Sequence, residues 1–142
     1  MKEILFICMW NRFRSKFAEQ YFNQINKNKK FKAESVGVIE VNGPLKPIER
    51  SRNKFLKQKY KLALSKKSRG INMKALDEAY KIIVVANDVP LEIIKQRKRW
   101  KDKFTYWNIK DVSNDDKEKV NKTVNSIMKK VNNLIKELEV EK

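Results

Sequence analysis

Apolar residues along this chain change their period several times, and each change marks an element. Ile4-Leu5-Phe6-Ile7 is a continuous apolar run. That length suits a strand buried on both faces and is short for a helix. From Phe13 the period turns helical, with Phe13, Phe17, Ala18, Tyr21, Phe22 and Ile25 on one face. The pattern thus predicts a strand over 3–7 and a helix over 14–26. A second short strand is expected over 31–36. Gly43-Pro44 marks a turn. A helix over 47–59 begins with proline in its first turn. Asn72 is placed as the N-cap of a short helix reaching residue 79. A buried strand is expected over 81–86, a helix over 90–99 and an aromatic, β-branched strand over 103–108. The last helix is expected over 115–138, with Val120, Val124, Ile127, Met128, Val131, Leu134, Ile135 and Leu138 on its apolar face. Ser113 and Asp116 have the spacing of a capping box ahead of it.

Strands that alternate with helices imply a parallel sheet covered on both faces. The expected fold class is therefore α/β, a three-layer sandwich with a four-stranded parallel sheet. No repeat or low-complexity linker divides the chain, so residues 1–142 are read as one domain. Its 142 residues suffice for a real core, and the hydrophobic share of 41% argues against global disorder.

Charge changes the picture less than its size suggests. Lys and Arg number 34 against 17 Asp and Glu, a formal net charge of +17. A basic chain attracts nucleic acid, anionic lipid or acidic protein. The lysines are spread along the whole length, however, so a nucleic-acid partner is possible but not favoured. The densest stretch, residues 50–69, reads as a solvated helical face held on the core by Phe55, Leu56, Tyr60, Leu62 and Leu64. No apolar run approaches the ~20 residues of a membrane span. Asn11 and Arg12 interrupt the N-terminal run too early for a signal peptide. One cysteine excludes an internal disulfide framework and fits a reducing, cytoplasmic setting. With no histidine and one cysteine the chain lacks a zinc ligand set, and no metal or cofactor is implied.

That single cysteine is the chief candidate for chemistry. Cys8 closes the first strand and opens Cys8-Met9-Trp10-Asn11-Arg12-Phe13-Arg14-Ser15, after which the first helix runs. A helix N-terminus presents unpaired N–H groups and a partial positive charge, a ready site for an oxyanion. A thiol in such a field gives up its proton more readily. Arg14 adds a guanidinium fork that matches phosphate oxygens. Nucleophile, cradle and clamp together suit attack on phosphorus. A plainer reading stays open, in which Cys8 is a buried strand-end thiol. Arg14 in a first helical turn opposes the macrodipole, so an anion is expected beside it.

The segment from Ile7 to Ser15, followed by Ala18-Glu19, resembles the N-terminal signature of the low-molecular-weight protein tyrosine phosphatases, V-C-x-G-N-x-C-R-S-x-x-A-E. Cys8, Asn11, Arg14, Ser15, Ala18 and Glu19 match it. Weaker likenesses follow at Glu34-Ser35-Val36-Gly37, at Lys67-Ser68-Arg69, at Ile82 to Ala86 with Asp88, and at Asn108 to Val112. The resemblance implies a four-stranded parallel sheet and a cysteine-dependent phosphatase. Its substrate would be a phosphomonoester, either protein phosphotyrosine or a small aryl phosphate. Cys8 would form a phosphocysteine and Arg14 would clamp the oxygens. Met9, Trp10, Asn11, Arg12, Phe13 and Ser15 would line the site for phosphate or another oxyanion. Asp111, beyond the fourth strand, would be general acid and then base. The alternative is a catalytically silent phosphate- or RNA-binding module on the same fold.

Departures from the signature matter. Phe13 replaces a second cysteine, and Trp10 replaces a glycine, which would strain the backbone if φ must be positive there. Val112 replaces the proline after the acid, and Ser113-Asn114 replace an aromatic pair. Trp10, Tyr106 or Trp107 are the aromatic residues that could substitute. Thioredoxin-linked arsenate reduction needs two further cysteines and is closed. Arg12, standing where related phosphoarginine phosphatases carry threonine, would repel a guanidinium substrate.

Overall fold

The computed structural model describes residues 1–64, 67–112 and 116–141. Four strands, β1 (Lys2–Cys8), β2 (Phe31–Gly37), β3 (Lys81–Val85) and β4 (Phe104–Trp107), form one sheet in the order β2-β1-β3-β4. All three pairings are parallel. Alternation along β1 sends Ile4 and Phe6 into one apolar cluster and Leu5 and Ile7 into the other, which Cys8 joins from the end of the strand. Both faces of the strand are buried, which is why its sequence is continuously apolar.

One layer holds α1 (Arg14–Ile25), α2 (Pro47–Tyr60) and α6 (Lys117–Val140). Phe17, Phe22, Leu56, Val124, Ile127 and Val131 join Phe6, Ile83 and Trp107 there. The other layer is thinner: α3 (Met73–Glu78), α4 (Glu92–Lys95) and α5 (Lys98–Lys101) contribute Leu76, Ile94 and Trp100. The three-layer α/β arrangement expected from the sequence is present.

The helix expected over 90–99 is two short helices instead. Ile94 and Trp100 are both buried. Six residues apart, they would lie about 240° apart on one continuous helix, so only one could face the sheet. Arg97, with extended φ −129° and ψ 134°, breaks the helix and turns both inward. Trp100 Nε1 then donates to Asp77 Oδ1 at 2.7 Å. Asp116 caps α6, accepting from Glu118 N at 3.0 Å and Lys119 N at 3.3 Å. The helix therefore starts at Lys117, later than expected. The Ser113 half of the predicted capping box lies outside the described residues, as do Asn114 and Asp115.

Strand β1 has β2 on one side and β3 on the other. The chain therefore reverses its direction of progress across the sheet at the β1/β3 boundary. In open parallel sheets ligands bind at the carboxyl ends of strands at such a switch point. Cys8 ends β1 at this place, and Asp88 follows β3 just beyond it.

Candidate active site

Residues 11–19 are all buried, including Arg14, Ser15 and Lys16. Such a polar stretch is buried only where its groups are satisfied internally or await a ligand. On the β2 side the satisfaction is internal. Ser15 Oγ lies 3.0 Å from Cys8 Sγ, and Asn11 N donates to that sulfur at 3.3 Å. Asn11 sits in the left-handed region with φ 52°, a conformation asparagine tolerates better than most residues. Its Nδ2 donates to Ser15 Oγ at 2.8 Å and Ser35 Oγ at 3.0 Å. Its Oδ1 accepts from Arg69 N at 2.9 Å. Ser35 passes the chain on to Glu19 at 2.7 Å, and Arg69 bridges Glu19 at 2.7 Å and Glu34 at 2.9 Å. Ser68 Oγ donates to Trp10 O at 2.9 Å.

Gly37 makes the close approach possible. A Cβ there would fall 2.8 Å from both Asn11 N and the carbonyl carbon of Trp10. Beside this network lies Lys16, fully buried, with no hydrogen-bond partner for Nζ among the described residues. Burial, then the Arg69 charge, pushes its pKa down against the pull of Glu19.

Arg14 has the compensating anion that its place in the first turn calls for. Its Nη2 donates to both oxygens of Asp88 at 3.0 Å, and its Nη1 to Ile109 O at 2.9 Å. Asp111 Oδ1 lies 3.7 Å from Nε. Two loops, 74 residues and 95 residues further along the chain, are thus drawn onto one guanidinium, which is held with Nε turned toward Asp111.

On the α2 side a cleft of about 310 Å³ opens, lined by Cys8, Trp10, Arg12, Phe13, Arg14, Asp111 and Val112, with Val41, Lys46, Ile48, Glu49 and Arg52 from the opposite wall. Asn11 and Ser15 lie beneath the loop, outside this lining. Met9 also lies outside it, and its carbonyl accepts from Ile39 N at 3.0 Å. Trp10 does not have positive φ. It forms part of the cleft wall, so replacing glycine carries no left-handed strain. Trp107 is core, 5.8 Å from the Phe6 ring, while Tyr106 is exposed on β4.

The Arg12 cation does not face the cleft bare. Its Nη1 pairs with Glu49 Oε1 at 2.8 Å and its Nη2 donates to Gly43 O at 2.9 Å. The repulsion expected of it is therefore largely cancelled. Arg52 is an exception to the reading of the charges of 50–69 as a solvated face. Lys54, Lys57 and Lys59 are exposed, but Arg52 is buried, 4.4 Å over the Phe13 ring, with Nη2 donating to Arg12 O at 3.1 Å. Burial pushes its pKa down, opposed by the charges of Glu49, Asp111 and Cys8.

Sequence reasoning gave no site role to Asp88, Gly37, Ser35, Arg69, Glu49 or Arg52. Asp88 had a usable signal, because it follows the carboxyl end of a predicted parallel strand. Arg52 had one too. It stands four residues before Leu56, on the apolar face of α2.

The sequence model of the family described as low molecular weight phosphotyrosine protein phosphatase matches residues 3–142. The chain belongs to that family. It is a phosphatase-type hydrolase by that membership. No curated protein sequence matches it. Among solved structures it is similar to the low molecular weight protein tyrosine phosphatase from T. tengcongensis, with TM-score 0.81 and 23% identity over 96% of this chain and 99% of that one. It is similar to a protein tyrosine phosphatase from Entamoeba histolytica, with TM-score 0.82 and 18% identity over 100% and 98%. The YwlE arginine phosphatase from Geobacillus stearothermophilus gives TM-score 0.79 and 18% identity over 98% and 94%. At these identities the likeness carries the fold, and the family rests on the sequence match. No helix among the described residues is long and apolar enough to cross a membrane.

Proposed function

We propose that this chain is a cysteine-dependent phosphatase that hydrolyses a phosphomonoester, a protein phosphotyrosine or small aryl phosphate, through a phosphocysteine. The observation that carries the reading is the convergence on Cys8. Ser15 Oγ and Asn11 N point at its sulfur, and Arg14 and Asp111 share its cleft. Cys8 as thiolate attacks phosphorus. The S–P bond forms as the ester P–O bond breaks, and Asp111 gives the leaving oxygen its proton. Asp111 then takes a proton from water, which attacks the phosphocysteine and releases inorganic phosphate. Loop amides, Arg14 Nε and the remaining guanidinium N–H groups hold the equatorial oxygens as charge spreads over them. Ser15 donates to the sulfur as it leaves. Asp88 positions Arg14, and Asn11 with Ser35 sets the loop's shape. We read residues 1–142 as one domain working in the cytoplasm.

The silent-module alternative rests on the basic charge and on Trp10 in place of glycine; Trp10 has no positive φ, so that half of its support falls away. Hydrolysis of a chromogenic aryl phosphate tests the reading. Turnover by the full chain and its loss in Cys8→Ser are expected. Substantial turnover in Cys8→Ser would contradict Cys8 as nucleophile.

A further inference from the structure

We propose, on the basis of the phosphatase reading above, that Arg52 selects substrates carrying a second anionic group beside the phosphate ester. Three arginines line the cleft. Arg12 is neutralised by Glu49, and Arg14 by Asp88 with Asp111 nearby. Arg52 has no ion-pair partner among the described residues. Its contacts are an aromatic ring, the Arg12 carbonyl and Asn53 Oδ1 at 3.4 Å, all uncharged. It is nevertheless 7% exposed. A buried charge without a counter-ion is costly, and such groups are normally paired.

Glu49, Asp111 and Cys8 act on Arg52 through space, but among the described residues none lies within ion-pair distance. Glu49 is the one acidic residue of α2, and it is held by Arg12 at 2.8 Å and by Lys46 N at 2.9 Å. Lys46 and the exposed Arg50 add charge of the same sign at that rim. The reacting phosphoryl group has its own partners in the loop amides and Arg14. Arg52 is held to the wall by the Phe13 stack and the Arg12 carbonyl, which keeps it from swinging onto that group. Its unused N–H groups match a carboxylate or phosphate in bidentate fashion. A substrate extending from the loop toward α2 therefore meets a preformed anion site. The anion could be an acidic residue flanking a phosphorylated side chain or a carboxylate on a small aryl phosphate. A guanidinium-bearing substrate would meet repulsion at this place.

The test measures kcat/KM of the full chain on two matched pairs. One pair is a phosphotyrosyl peptide with acidic flanks and the same peptide with alanine flanks. The other is carboxymethyl-substituted phenyl phosphate and its methyl ester. The acidic member should be preferred by about tenfold, chiefly through KM, as one charge-assisted bidentate contact allows. Arg52→Gln should reduce the preference to near unity. Arg52→Lys, keeping charge without the fork, should retain part of it and carries the test if Arg52→Gln fails to fold. Lys57→Gln, exposed on the same helix, should retain it fully. Preference in the peptide pair alone marks a protein substrate, and in the small pair alone a small molecule; either supports the proposal. No preference in either pair overturns it. So does an equal slowing of all four substrates in Arg52→Gln, which would mean that Arg52 only braces the loop. If wild-type chain hydrolyses none of the four, the phosphatase reading itself has failed and the proposal falls with it.

Discussion

On the β2 side of the phosphate loop, Asn11, Ser15 and Ser35 bond one another and pass their last contacts to Glu19 and Arg69. On the α2 side, among the described residues, Arg52 has no ion-pair partner and Arg12 Nε has no hydrogen-bond partner. Both sides are built around the same eight residues, yet one is closed and the other waits. The closed side keeps its shape whatever is bound, because each member is held by another member. The open side is incomplete without a ligand, so ligand chemistry decides its energy. In this chain the network that holds the loop in shape and the cleft that receives the substrate are therefore physically separate.

The largest expected effect breaks the open side at its chemistry. Asp111→Asn should slow hydrolysis of an alkyl phosphate by about 10²–10⁴-fold, the usual worth of general acid catalysis. Nitrophenyl phosphate should suffer much less, because its leaving group departs without a proton. Equal loss on both substrates would show a structural role for Asp111.

A smaller effect is expected from the closed side. Gly37→Ala adds a Cβ 2.8 Å from two backbone atoms of the loop. Overpacking of this kind costs about 1–3 kcal/mol. If the loop yields by an ångström, turnover should fall by about 10²-fold. The loss should be the same for acidic and neutral substrates, since the α2 wall is untouched. Thermal unfolding and the two matched substrate pairs check both halves.

Lys16 gives the smallest and the opposite effect. Its folded-state pKa lies below the ordinary 10.5 because burial disfavours the charge. The unfolded chain therefore binds more protons between the two pKa values, and stability rises with pH there. Below the folded pKa the native state carries the full penalty. Lys16→Met should then stabilise the chain near neutral pH, by about 1–3 kcal/mol. That gain should shrink as pH rises toward 10.5. Denaturant unfolding at pH 7 and at pH 10 measures it. A gain that does not change with pH would mean that Lys16 finds water or an anion in solution.

The fold was legible because its signals are local and periodic. The apolar run of β1, the face of α6 and Pro47 at the start of α2 each act within a few residues. The 90–99 helix was misread because a break at Arg97 has no glycine or proline to announce it. What decides it is the competition of Ile94 and Trp100 for one sheet, which only the assembled core imposes. At the site, the cleft that Cys8, Arg14 and Asp111 share was approached from the sequence by two routes, the strand–loop–helix pattern for Cys8 and Arg14 and the family resemblance for Asp111. Asp88, Gly37 and Arg52 were not assigned, because their roles arise from contacts 26 to 74 residues apart. A charge on an apolar helix face, as at Arg52, was readable but was absorbed into a run of lysines. Arg12 is a related case: sequence gives a side chain's charge and not its partner, here Glu49.

The central claim is that Cys8 carries the phosphoryl group, and rapid mixing with excess nitrophenyl phosphate tests it most directly. The account predicts a burst of nitrophenolate equal to one per chain, with the phosphoryl group recovered on the peptide containing Cys8 after acid quench. Cys8→Ala should show neither burst nor adduct. Steady turnover with no phosphoryl group on Cys8 at any quench time, or a burst that survives Cys8→Ala, would contradict it.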